Sequence, residues 1–248
     1  MSQTDAVAFY ERYWQDPDSA PPSHDPTTAV RKRMLADVIR MNFASLNGEL
    51  AVDLGCGTGE FTVFLSELGF RPVGVDVSSK ALAEARTRYP NLKFETIKDG
   101  YLPFSDSSVG LIWSSEVIEH VFDVMGWLAE ANRSLKPGGI MILTTPYHGF
   151  FKMLVVSLIN FGRHFDPLGS HIRFFDKRSL ARCLLAAGLR PKVWCGYGRP
   201  WPFWKSFFVV AEKARIGSSR ATIYCPRGSE NGEGEGPVNL RAEKARKD

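Results

Sequence analysis

Three glycines at alternate positions, Gly55, Gly57 and Gly59, follow an apolar run that ends in Val52-Asp53-Leu54, and this turn limits what the chain can fold into. A strand that stops at an acidic residue and turns through glycines brings backbone N–H groups to a helix start, where a ligand can approach closely. The segment therefore reads as the binding loop of a nucleotide-like cofactor. Spacing excludes two common versions of such a loop. A dinucleotide fingerprint needs glycine at the first, third and sixth positions, but the sixth position from Gly55 is Glu60, and the third glycine, Gly59, falls one residue early. No lysine follows to hold a phosphate, which removes the phosphate-binding loop of NTPases.

Further apolar runs follow, each with polar chemistry at its end. Residues 72–77 read as a second strand ending in Asp76 and Val77, where a carboxylate can accept two hydrogen bonds from the vicinal hydroxyls of a ribose. A third strand, 92–97, runs into Lys98-Asp99-Gly100. A fourth, 110–114, leads to Ser115-Glu116-Val117-Ile118-Glu119-His120, and a fifth, 140–144, follows a Leu135-Lys136-Pro137-Gly138-Gly139 turn. Helical stretches over 79–89 and 124–135 separate these strands, which argues for a parallel sheet with right-handed crossovers. Later, residues 177–187 predict a helix, and 192–197 and 206–211 an antiparallel pair of strands.

This ordered set, over about residues 45–145, resembles the class I S-adenosylmethionine-dependent methyltransferases. The family's acidic-x-Gly-x-Gly-x-Gly is met by Asp53, Gly55, Gly57 and Gly59. The resemblance implies a doubly wound, mostly parallel seven-stranded α/β sheet of Rossmann-like type with an antiparallel terminal strand. It implies S-adenosylmethionine as cofactor, held by Asp53, Gly55, Cys56, Gly57, Gly59, Asp76, Val77, Asp99, Gly100 and Ser115, with Asp99 facing the adenine. Methyl transfer from a sulfonium is a displacement that depends on holding acceptor, methyl and sulfur in line, and a base is needed only where the acceptor loses a proton. Glu116, Glu119 and His120 are the titratable groups at the fourth strand's edge, and His120 is the base its intrinsic pKa favours.

The Glu-x-x-Glu-His spacing adds a metal reading. If the segment is helical, Glu116, Glu119 and His120 converge on one face, and mixed oxygen and nitrogen ligands suit Mg2+ or Zn2+. The pattern is similar to that of the ubiquinone-biosynthesis O-methyltransferases, which implies a divalent metal at these residues. The run 167–171, ending in Gly169-Ser170-His171, is laid out as in that group, so that His171 completes the site. The opposing reading has Glu119 pairing with a helix start and His120 bonding a backbone carbonyl. The implied function is methyl transfer to an oxygen of a small or lipid-linked acceptor. Carbon or nitrogen acceptors, a nicotinamide oxidoreductase and a non-catalytic cofactor-binding scaffold stand as alternatives.

Length and composition frame the rest. A chain of 248 residues can bury one α/β core, and 31 Lys and Arg against 27 Asp and Glu give a net charge of +4, so nucleic acid is not indicated as a partner. Four scattered cysteines without metal-ligand spacing predict reduced thiols in a cytoplasmic setting, and the first residues carry no secretory signal pattern. Residues 1–44 read as an aromatic lid helix near 9–14, a Pro-rich linker and a first helix from 29, capped by Thr27 or Thr28. Arg31 and Arg33 on that helix either reach a carboxylate of the cofactor or are solvated. Residues 45–214 form the methyltransferase domain, and 215–248 a polar tail expected to be disordered. Within the domain, residues 149–170 hold an apolar insertion too short to span a bilayer. It either covers the active site by packing into the core, makes a dimer contact, or lies on a membrane interface, which would make the protein membrane-associated and admit a lipid-linked acceptor.

Overall fold

A computed structural model of the chain describes residue 11 and residues 25–46, 48–165 and 169–214. The expected aromatic lid apart from Glu11, most of the Pro-rich linker, Pro167 and Leu168, and the tail 215–248 lie outside the described residues. Seven strands form one sheet: β1 (Leu50–Leu54), β2 (Arg71–Asp76), β3 (Lys93–Thr96), β4 (Val109–Ser115), β5 (Leu135–Pro146), β6 (Leu189–Tyr197) and β7 (Ser206–Lys213). Their order is β3-β2-β1-β4-β5-β7-β6, with β7 antiparallel to both neighbours and the other pairings parallel. The antiparallel strand, last in sequence, is thus inserted between β5 and β6 rather than placed at the sheet's edge. Helices α1 (Thr28–Asn42), α2 (Glu60–Glu67), α3 (Ser79–Arg88), α4 (Val124–Ser134), α5 (Phe150–Ile159), α6 (Phe161–His164) and α7 (Lys177–Ala186) complete the described chain.

Strand alternation builds the two layers. In β1 and β4, Val52, Leu54 and Ile112 point to one side, joining Met141, Leu143 and Val209 under Leu128 of α4 and Leu180 and Leu184 of α7. Ala51, Leu111 and Trp113 point to the other, under Met34, Leu35 and Val38 of α1 and Phe61 and Leu65 of α2. Strands buried on both faces lack polar alternation, and β4 is buried from Val109 to Ser114. Trp113 anchors the second layer with ring contacts to Phe61 at 5.0 Å and Phe208 at 6.0 Å.

All parallel strands end at one edge, so the side chains after each strand are gathered there. The glycine loop opens this edge. Gly55 and Gly59 both have positive φ, +79° and +87°, and a Cβ at Gly55 would lie 2.5 Å from Val117, one at Gly59 2.9 Å from the Phe94 ring. Both the conformation and the space therefore require glycine. Thr62 of α2 donates from Oγ1 to Asp53 Oδ2 at 2.7 Å, tying the end of β1 to the helix that follows the loop. Burial pushes the Asp53 carboxyl up to about 7; the Thr62 hydrogen bond opposes this rise and the charge of Asp76 adds to it.

Three local expectations change. Residues 136–139, expected as a turn before the fifth strand, lie within β5 as an outward bulge, with pairing that jumps from Val109↔Leu135 to Leu111↔Ile140. Thr27 occupies the start of α1, but its hydroxyl donates to Asp25 instead of capping the helix, since a nearby carboxylate is the stronger acceptor. Cys56 and Cys183 are free, whereas Cys195 is disulfide-bonded, against the expectation of reduced thiols throughout.

Two outcomes are expected. The unfolded chain releases the Asp53 proton near pH 4 while the folded chain keeps it to about pH 7, so this group removes stability as pH rises across that interval. Asp53→Asn, which keeps an acceptor for Thr62, flattens that fall, and urea unfolding at a series of pH values measures it. Gly59→Ala lowers the unfolding free energy by roughly 1–3 kcal/mol through left-handed strain and collision with Phe94, read from the urea midpoint at one pH.

Candidate active site

On the cofactor side, the carboxylate of Asp76 lies between two turns. Gly57 N–H donates to Oδ2 and Ser78 N–H to Oδ1, both at 2.9 Å, while Gly55 and Cys56 N–H groups close on Val75 O. Asp76 is 8% exposed at this edge, and each oxygen retains a lone pair for a further donor such as a ribose hydroxyl. Burial raises its pKa, which the hydrogen bonds from Ser78, Gly57 and Val77 oppose. Val77 follows it half-buried, Cys56 is buried, and Glu11 accepts from Ser79 N–H at the start of α3 at 2.6 Å. Asp99 and Gly100, with φ of 51° and 79°, form the centre of a tight turn closed by Tyr101 N–H to Lys98 O, and Asp99 is exposed.

Arg31 resolves one of the open alternatives. It is 6% exposed, not solvated, and its guanidinium donates to Ser115 Oγ at 2.6 Å, Asp25 Oδ2 at 2.7 Å and Thr28 Oγ1 at 3.0 Å. Its Nε is buried with no hydrogen-bond partner among the described residues. Arg33, one turn face away, is exposed. Ser115, predicted to bind the cofactor, is joined to this arginine and to Thr144 Oγ1 at 3.1 Å.

The Glu-x-x-Glu-His run is not one helical face. Glu116 has φ of +54°, and only Ile118–His120 form a single 3-10 turn, so the two carboxylates part. Glu116 accepts from Tyr197 OH at 3.0 Å and Ser206 Oγ at 3.3 Å, residues that the antiparallel strands bring in. Glu119 is fully buried; Oε2 accepts from Thr145 Oγ1 at 3.0 Å and Oε1 has no hydrogen-bond partner among the described residues. Burial raises both carboxyl pKa values, that of Glu119 strongly, with the charge of Glu116 adding to it. His120 lies 2.8 Å through Nδ1 from Ser170 O, an acceptor only, so that nitrogen carries the proton and Nε2 holds the lone pair. Burial lowers the His120 pKa.

The four-residue metal set is corrected by this geometry. Ligand atoms of Glu119, His120 and His171 lie within 4.8 Å of one another, and Glu116 is not among them because its carboxylate turns to Tyr197 and Ser206. The rings of His120 and His171 meet edge to face at 4.8 Å. Ile172 and Arg173 N–H groups donate to Glu119 O, fixing the loop that carries His171. Burial first, then the charges of His120 and His164, push the His171 pKa down to about 4. Sequence reasoning missed Tyr197, Ser206, Thr144 and Thr145, and also His148 and His164, whose rings lie 5.4 Å apart beside Phe174. The one visible signal was the pair Thr144-Thr145, polar residues closing an otherwise apolar strand.

Comparisons with known proteins bear on the domain and the fold. Residues 52–143 match the family model described as a methyltransferase domain. A Mycolicibacterium smegmatis protein named a probable S-adenosylmethionine-dependent methyltransferase is 28% identical over 144 residues, 53% of this chain and 55% of its own. A demethylmenaquinone methyltransferase of Tropheryma whipplei is 34% identical over 99 residues, 39% of this chain and 41% of its own. The chain spans about half the length of the curated relatives it matches. A crystal structure from Pyrococcus horikoshii shares the fold, with a TM-score of 0.63 at 18% identity, covering 82% of this chain and 98% of that one. The glycine loop against Asp76 and the sheet order lie with residues 52–143, the part of the chain that is similar to the methyltransferase domain family.

Proposed function

We propose that the protein methylates an oxygen atom of a small or lipid-linked acceptor at the edge formed by β4 and β5. The observation that carries this reading is His120, fixed through Nδ1 so that Nε2 can take a proton, beside the fully buried Glu119 and the half-buried Glu116. An acceptor hydroxyl has a proton to lose, and a positioned neutral imidazole is the group to receive it. S-adenosylmethionine, when bound, supplies a methyl group already activated on a sulfonium. The residues that fit it are the glycine loop, whose backbone a ligand can approach closely, the free lone pairs of Asp76 for the ribose, Asp99 with Gly100 for the adenine, and Arg31 with Ser115 for the carboxylate end. His120 holds the acceptor hydroxyl, receives its proton at Nε2 and returns it to solvent. Glu116, pinned by Tyr197 and Ser206, orients the neighbouring turn. The relative named for demethylmenaquinone supports a quinone-type acceptor, with ring carbon as the alternative to oxygen as the atom methylated.

A second reading has a divalent ion held by Glu119, His120 and His171. The orphaned, fully buried Glu119 Oε1 favours it, because such an atom gains most from a cation. One carboxylate and two imidazoles suit Zn2+ better than Mg2+, and the ion would supply a Lewis acid beside the acceptor oxygen. In that case it is the ion, not His120, that steadies the acceptor oxygen.

Calorimetry with S-adenosylmethionine is expected to give one site, and Asp76→Ala to weaken it by about a hundredfold or more as the hydrogen bonds to the carboxylate are lost, with the circular dichroism spectrum kept. Titration of chelator-treated protein with Zn2+ separates the two readings. A single site that Glu119→Gln weakens roughly tenfold or more supports the ion, whereas no binding leaves His120 as the proton acceptor.

A further inference from the structure

Helix α5 has no buried residue, although every one of its positions except Lys152 and Ser157 is apolar. Phe150 is 74% exposed, Leu158 76% and Ile159 78%, and Phe161 just beyond is 60% exposed. Packing against the core, one reading of this insertion, is therefore excluded. Alongside it lies the β6–β7 loop, with Trp201 61% exposed, held there by Lys152 Nζ, which donates to Tyr147 O at 2.6 Å and to Lys205 O at 3.3 Å. An apolar face of this extent on a protein surface marks a binding surface.

Charge selects the occupant. Residues 147–205 hold ten Lys and Arg against two Asp and Glu, a net +8 in a chain whose total is +4. The Lys152 ammonium has Arg199 and Lys205 as positive neighbours; they add to the burial that pushes its pKa down to about 8. A second copy of the chain would set this positive stretch against itself. An anionic lipid surface complements it. Ten residues of helix cover about 15 Å, half of what a bilayer core requires, so α5 can lie in the interface but cannot cross it. No described helix is long and apolar enough to cross a membrane. Trp201 supplies the side chain that settles best at the headgroup level. We propose that α5 and the β6–β7 loop dock the protein on the surface of an anionic bilayer.

This inference goes beyond methyl transfer and is read without turnover. The full chain is floated with phosphatidylcholine vesicles, with and without phosphatidylglycerol, at low and high salt. Flotation only with the anionic vesicles, weakened by salt, is expected. Arg199→Ala should lower the partition coefficient about fivefold and the double variant Leu158→Asp, Ile159→Asp about tenfold or more. Unchanged calorimetric binding of S-adenosylmethionine, or an unchanged circular dichroism spectrum, establishes that the exposed variants remain folded. Parent protein that stays at the bottom of the gradient overturns the proposal, as does a double variant that floats like the parent. A parent dimer that the double variant converts to monomer, with no vesicle binding by either, assigns the face to a second copy instead.

Discussion

The carboxylate of Asp76, buried between the glycine loop and the start of α3, is the contact on which the carboxyl edge depends. Its two oxygens take the Gly57 and Ser78 N–H groups, so the turn after β1 and the turn after β2 are set relative to each other by one side chain. Charge-assisted hydrogen bonds of this kind are stronger than neutral ones, and they offset the cost of holding an acid where water is scarce. The glycines make the close approach possible: a Cβ at Gly55 would strike Val117, and through Val117 the loop is packed against the segment that carries Glu116 and Glu119. The glycine loop and the segment 116–120 thus share a wall.

The segment after β4 is built on a different physical basis. Glu116, Glu119 and His120 leave β4 together, but the strands beside it separate their roles. β7 and β6 deliver Ser206 and Tyr197 to Glu116, while β5 delivers Thr145 to Glu119 and the loop before α7 delivers Ser170 and His171 to His120. One carboxyl is satisfied by two hydroxyls and the other keeps an unpaired oxygen. Glu119, whose proton affinity is raised by burial and then by the charge of Glu116, stands next to the His120 imidazole, whose pKa burial lowers, and together they make a region poised for proton or cation traffic.

Much of this was legible in the residues. Asp53, the alternate glycines, Asp76 and the apolar runs between them could be placed at strand ends because period and spacing are local properties. The helix over 177–186 and its start were legible for the same reason; Asp176 and Ser179 form a reciprocal cap within four residues. Residues 136–139 keep the turn chemistry of Lys-Pro-Gly-Gly, and it is the pairing of Leu135 with Val109 before them and of Ile140 with Leu111 and Glu212 after them that makes them a bulge within one strand. The i, i+3 spacing of Glu116 and Glu119 suggested a shared helical face, yet the +54° φ of Glu116 sends the first carboxylate elsewhere. Nothing local announces that conformation, which rests on contacts from strands some eighty residues away.

By itself the sequence determined the doubly wound sheet, the cofactor loop and the acidic residue that answers it, because each follows from hydrophobic period, glycine stereochemistry or a carboxylate at a strand end. Tertiary structure alone decided which side chains meet. It turned Arg31 from a surface candidate into a buried donor to Ser115, split the Glu-x-x-Glu-His run, and gathered His120 with His171 from positions fifty-one residues apart. It also decided that the apolar insertion faces outward, since an amphipathic or apolar pattern states that a helix needs a partner and not whether the protein supplies one. Burial and long-range pairing are properties of the assembled chain, and no window of sequence contains them.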